Sequence, residues 1–180
     1  ANTTGYRNTY LGAYAGVSVS TGLNNTLLGV RAGTSINTGG NNIAVGYGSL
    51  YQHTTSAYNI AIGNDAMYYS AAAATYNIVI GTSAGQNLGK TVASTKNVII
   101  GDNAGGFVTG SNNTLVGYKA GYGASAATTT GGNNTALGYQ ALKVFTSGYD
   151  NVVMGYNAGD AITTGYQNTI IGKSAGSGLT

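Results

Sequence analysis

One five-residue phrase recurs ten times along the chain: Asn, a β-branched residue, an apolar or aromatic residue, an aliphatic residue, then Gly. It reads NTYLG, NTLLG, NIAVG, NIAIG, NIVIG, NVIIG, NTLVG, NTALG, NVVMG and NTIIG, beginning at Asn8, Asn25, Asn42, Asn59, Asn77, Asn97, Asn113, Asn134, Asn151 and Asn168. Successive anchors are 17, 17, 17, 18, 20, 16, 21, 17 and 17 residues apart, so the unit is near 17 and insertions fall between phrases. Each unit is too short for the helix pairs of helical repeats, and the phrase is rich in Val, Ile and Thr, which favour strands. The pattern predicts an all-β chain, a parallel β-solenoid or β-roll of about ten coils with roughly 17 residues per coil. Each phrase supplies a short strand, and the Gly that closes it, from Gly12 to Gly172, supplies a corner. The variable stretch, such as residues 17–23 or 160–165, forms a looser strand and a return turn. Stacked at the usual spacing of about 4.8 Å, ten strands span about 43 Å, and residues 1–180 read as a single repeat array.

Alternation along a strand puts the first and third residues after Asn on one face and the second on the other. The third position is aliphatic in every unit (Leu11, Leu28, Val45, Ile62, Ile80, Ile100, Val116, Leu137, Met154, Ile171), which assigns it to the interior. The second position (Tyr10, Leu27, Ala44, Ala61, Val79, Ile99, Leu115, Ala136, Val153, Ile170) is apolar too, and on this reading it faces outward. A coil of this size has room for one interior, so the second column requires another chain to cover it. The expected state is a homo-oligomer.

Composition narrows the function. Charged residues make up 6% of the chain, against about 25% in an ordinary soluble domain, and the chain contains neither Cys, Pro, Trp nor Glu. Disulfides, thiolate metal sites and cysteine nucleophiles are excluded. The net charge of +3 comes from seven scattered basic residues, which provide no patch for a nucleic-acid backbone. No apolar run is long enough to suggest membrane insertion. His53 is the one imidazole and is expected to be a solvated loop residue; with Asp65, Asp102, Asp150 and Asp160 it offers too little for an acid–base constellation. Residues 84–91, AGQNLGKT, imitate a phosphate loop, but the β phrase restarts at Asn97, where such a loop needs a helix. Neither an enzyme nor a cofactor or metal site is expected.

Two polar columns remain. The ten Asn are expected to stack at equivalent corners, bonding to one another and to turn backbone. Tyr47, Tyr118, Tyr139 and Tyr156 follow a corner Gly directly, and Tyr6, Tyr149 and Tyr166 precede the Asn by two. The first four are candidates for stacking on sugar rings, with the filling of grooves between chains as the plainer role. Thr9, Thr26, Thr114, Thr135 and Thr169 recur at the first strand position, as an ice-binding array would, but that position is expected to face inward.

The phrases NIAVG, NIAIG and NTALG resemble the head repeats of the YadA-like trimeric autotransporter adhesins. Continuations such as GYGSL at Gly46, GYKAG at Gly117 and GYQAL at Gly138 resemble repeats of phage and bacterial tail-fibre proteins. The likeness covers the whole chain, although the unit here is longer than the adhesin unit. It implies a left-handed β-roll in a homotrimer, located extracellularly, on a cell surface or in a virion tail fibre, with a cell-surface glycan or protein receptor as partner. A segment of a longer fibre is expected, with end-to-end self-association into a filament as the alternative.

Overall fold

In a computed structural model, which describes residues 4–70, 73–124 and 129–179, the chain is all-β, with no helix among those residues. The strands are β1 (Thr9–Leu11), β2 (Thr26–Leu28), β3 (Ile43–Val45), β4 (Ile60–Ile62), β5 (Ala74–Thr75), β6 (Ile78–Ile80), β7 (Ser94–Thr95), β8 (Val98–Ile100), β9 (Thr114–Val116), β10 (Thr135–Leu137), β11 (Val152–Met154) and β12 (Thr169–Ile171). Ten of them, one from each phrase, form a single parallel sheet in the order β1-β2-β3-β4-β6-β8-β9-β10-β11-β12. Equivalent residues pair throughout: Thr9 with Thr26, Ile60 with Ile78, Val152 with Thr169. The 20-residue step from Asn77 to Asn97 leaves this register intact, because the extra residues lie outside the strands; β5 and β7 pair alongside as a small second sheet. The chain is a parallel β-solenoid whose sequence period is also its structural period.

Left-handed backbone recurs at fixed places in each coil. The residue before every anchor Asn has positive φ (Asn24 57°, Tyr58 58°, Lys96 59°), and so does the sixth residue after it (Tyr14 60°, Arg31 61°, Lys119 52°). The corner Gly lies at φ near 130°, and at Gly46 an added Cβ would stand 2.5 Å from the carbonyl oxygen of Gly63 in the next coil. Close stacking of corner on corner therefore excludes a side chain there.

The interior is the reverse of the pattern-based assignment. The second-position column, Leu27, Ala44, Ala61, Val79, Ile99, Leu115, Ala136 and Val153, is fully buried within the chain. The third-position column faces outward, with Leu11 at 71%, Ile171 at 64% and Leu137 at 42% exposure. The parity is fixed by the anchor Asn, which is itself buried in eight coils from Asn25 to Asn151. Counting by twos from an inward Asn brings the second position inward and turns the first and third out.

A second inward column, eleven residues after the anchor, closes the core with Val19, Ile36, Leu88, Val108, Phe145 and Ile162. Packing across the coil is compensated in volume. Where the second position is Ala (Ala44, Ala61, Ala136), the eighth carries Leu50, Met67 or Leu142; where it is larger, the eighth is Gly in every coil. A Cβ on Gly33 would stand 2.8 Å from Leu27, and one on Gly105 2.8 Å from Ile99. One layer holds one large side chain at this place, supplied from either wall.

Candidate functional site

The surface with the most regular chemistry is the outer face of the ten-stranded sheet. Its first-position column reads Thr9, Thr26, Ile43, Ile60, Ile78, Val98, Thr114, Thr135, Val152, Thr169, and its third-position column is wholly aliphatic. Ile43, Ile62, Ile78, Ile100, Leu137, Val152 and Met154 are each exposed by about two-fifths, and Leu11 and Ile171 by more. They recur coil after coil along one sheet face, whereas single scattered apolar residues are the ordinary case on a monomer's surface. The five Thr expected to face inward face outward instead, for the parity reason given above.

The anchor Asn residues form a continuous hydrogen-bonded column. The backbone N–H of each donates to Oδ1 of the Asn one coil earlier, as in Asn42 to Asn25 (3.1 Å), Asn97 to Asn77 (3.0 Å) and Asn168 to Asn151 (3.0 Å). From Asn42 onward Nδ2 donates to the same oxygen, at 3.0 Å for Asn42 and Asn77. The other Nδ2 proton goes to the carbonyl that ends the coil: Asn8 to Gly22, Asn25 to Gly39, Asn59 to Ala74, Asn113 to Gly131, Asn134 to Gly148. From Asn42 to Asn151 each amide thus joins strand start, coil end and neighbouring coil, and its donors and acceptor are satisfied in the interior. No motif spacing foretells that third bond; it depends on where the return turn lands.

The four sugar-stacking candidates divide. Tyr118, Tyr139 and Tyr156 stack on successive coils, with ring centroids 5.2 and 5.0 Å apart and interplanar angles of 19° and 7°. Tyr47 stands apart from that stack and accepts a 3.3 Å bond from Arg31. Lys119 lies over Tyr118 at 5.3 Å and Lys173 over Tyr156 at 6.0 Å, within cation–π range. Ring faces are therefore turned to one another or to an ammonium group, and the column offers edges and hydroxyls. Tyr149 and Tyr166 stack at 5.0 Å and 2°, as do Tyr58 and Tyr76 at 4.9 Å and 7°; the latter pair stands directly before the anchor Asn and so lies outside both tyrosine columns of the repeat pattern.

His53 is fully buried, which corrects its assignment as a solvated loop residue. It stands eleven residues after Asn42, the offset that gives Val19, Ile36 and Phe145 in other coils, and that spacing was the available signal. Its Nδ1 shares a 2.9 Å hydrogen bond with Ser56 Oγ, which also accepts from the Ala74 N–H at 3.1 Å, while Nε2 has no partner. Burial pushes its pKa down to about 4, opposed in smaller part by the backbone of Met67. Asp65 is also held above the usual carboxylate range by burial. Residues 84–91 form turns in the solenoid wall. Among the described residues no cluster of three or more His, Cys, Asp or Glu could hold a metal, and no helix is long and apolar enough to cross a membrane. Comparison of the chain with protein families, curated proteins and solved structures finds no match, so the adhesin and tail-fibre likeness rests on the repeated phrase itself.

Proposed function

We propose that this chain is a non-enzymatic, extracellular fibre segment, a stiff shaft or head in which solenoids associate side by side, as a homotrimer, through the outer face of the sheet. The observation that supports it is the aliphatic third-position column. A solvated strand face tolerates polar residues, yet here every coil keeps Leu, Val, Ile or Met pointing out of its own core. The self-complementary occupant is a second copy, since a parallel array of identical ridges packs on itself coil by coil. The mechanism is mechanical: ladders and a packed interior hold a rod that presents its remaining sides, Tyr47, Tyr118, Tyr139 and Tyr156 included, to a cell-surface glycan or protein receptor.

Native mass measurement tests it, with three chains as the expected result. Ile62→Lys with Ile100→Lys, two exposed positions, should yield a folded monomer. A wild-type chain that is monomeric at micromolar concentration overturns the reading. The outward Thr9, Thr26, Thr114, Thr135 and Thr169 favour a second reading, an ice-binding face. It is separated by thermal hysteresis, which a monomer with a free face would show and a trimer with that face covered would not.

A further inference from the structure

Besides a surface for a receptor, the tyrosine column offers redox chemistry. Tyr118, Tyr139 and Tyr156 are partly exposed, occupy equivalent places in consecutive coils, and overlap ring on ring at 5.2 and 5.0 Å. Their separation is set by the ladder: Gln140 N–H donates to the Tyr118 carbonyl and Asn157 N–H to the Tyr139 carbonyl, each at 2.9 Å. The ladder therefore keeps the three side chains rooted one coil apart, within reach of one another, while the coils remain stacked. With no cysteine in the chain, disulfides cannot tie coil to coil.

We propose that Tyr118, Tyr139 and Tyr156 form an oxidative cross-linking site, in which hydrogen peroxide and a haem peroxidase couple neighbouring rings of one chain into dityrosine. Two phenols each lose one electron and the phenolic proton to the oxidant. The two phenoxyl radicals join through the ring carbons ortho to oxygen, and each ring regains aromaticity as its ortho hydrogen moves to the oxygen. One peroxide accepts the two electrons and two protons and leaves as two waters, so the product is lighter by two hydrogen atoms. Radical pairing requires ring contact within the radical lifetime, and the stack supplies it without diffusion. Partial exposure allows electron transfer at the surface and the small pivot that brings ortho carbons together. The result is a covalent staple across the coils, in a place where it leaves the sheet face untouched.

The test uses the intact chain, as an equal mixture of isotopically light and heavy protein, treated with a haem peroxidase and peroxide and then digested with trypsin. Cleavage after Lys119 and Lys143 places Tyr118, Tyr139 and Tyr156 on three different peptides; those of Tyr139 and Tyr156 also carry Tyr122, and Tyr149 with Tyr166, so fragment-ion spectra assign each link to its residue. Linked peptides joining Tyr139 to Tyr118 or Tyr156 are expected, light with light and heavy with heavy, at least about tenfold above links to Tyr14. Tyr14 is 66% exposed and stacks on no ring among the described residues. Tyr139→Phe preserves the ring and should abolish both links while dityrosine from Tyr149 and Tyr166 persists. Mixed-isotope links at Tyr139, or oxidation of Tyr14 without any Tyr139 link, would overturn the proposal.

Discussion

At the scale of single residues, stability depends on side chains that carry both a donor and an acceptor into the interior. Asn97 accepts at Oδ1 from the Asn113 N–H (2.9 Å) and donates through Nδ2 to the Gly110 carbonyl (3.1 Å). Asn97→Asp keeps the shape but replaces the donor with an anionic oxygen facing a carbonyl. We expect a loss of about 3–5 kcal/mol, with Asn97→Ala costing about 1–3 kcal/mol, measured by denaturant unfolding. His53 gives stability a pH dependence of known sign. Its folded pKa of about 4 lies below the ordinary 6.5, so the unfolded chain takes up the proton first. Above pH 6.5 the group contributes no pH dependence; as the pH falls toward 4 stability declines, by about 3 kcal/mol at the limit. His53→Leu, which matches the Leu88 of another coil, should flatten the unfolding curve between those pH values.

At the scale of one coil, the partition of volume between two walls is the controlling rule. Leu50 fills the layer from a left-handed position, at φ 52°, beside Ala44. Ala44→Leu alone overpacks the layer and Leu50→Gly alone empties it, each destabilising by about 1–3 kcal/mol. Together they recreate the arrangement of Leu27 and Gly33, so the double variant should be close to wild type. The coupling, about 1–3 kcal/mol of rescue in a thermal unfolding cycle, would vanish if the two sites did not share one layer. The strands themselves, only three residues long, hold their register because both ends are fastened: an Asn hydrogen bond at the start and a glycine corner stacked on glycine at the finish.

At the scale of the whole molecule, the solenoid is close to a one-dimensional stack in which each coil touches its neighbours. Deleting residues 43–59, one full 17-residue unit, joins Asn42 to Ile60 and restores the phrase NIAIG. A folded rod one coil shorter is expected, with a lower melting temperature and the β-sheet circular dichroism signal per residue unchanged. Deleting about half that length should prevent folding, because it would place the corner Gly of one coil against the strand of the next. If side-by-side association covers the sheet face, the melting temperature will rise with protein concentration, and Ile62→Lys with Ile100→Lys will remove that dependence.

The repeat was enough to determine the architecture: ten anchors at near-constant spacing, β-branched residues between Asn and Gly, and a Gly where the chain must turn leave a stacked parallel coil as the packing that satisfies them all. The interior was not legible from alternation, because both faces of the strand are apolar and period-two logic gives two answers that differ only in sign. The buried Asn decided it, through hydrogen bonds to coil ends that become neighbours only after closure. Likewise Tyr118, Tyr139 and Tyr156 were visible as a column, but that their rings would spend their faces on each other depends on coil spacing. His53 followed the same rule, since the number of residues after the anchor mattered more than its polar neighbours Gln52 and Thr54. Sequence specifies the period, and three-dimensional closure specifies which side of the period is inside.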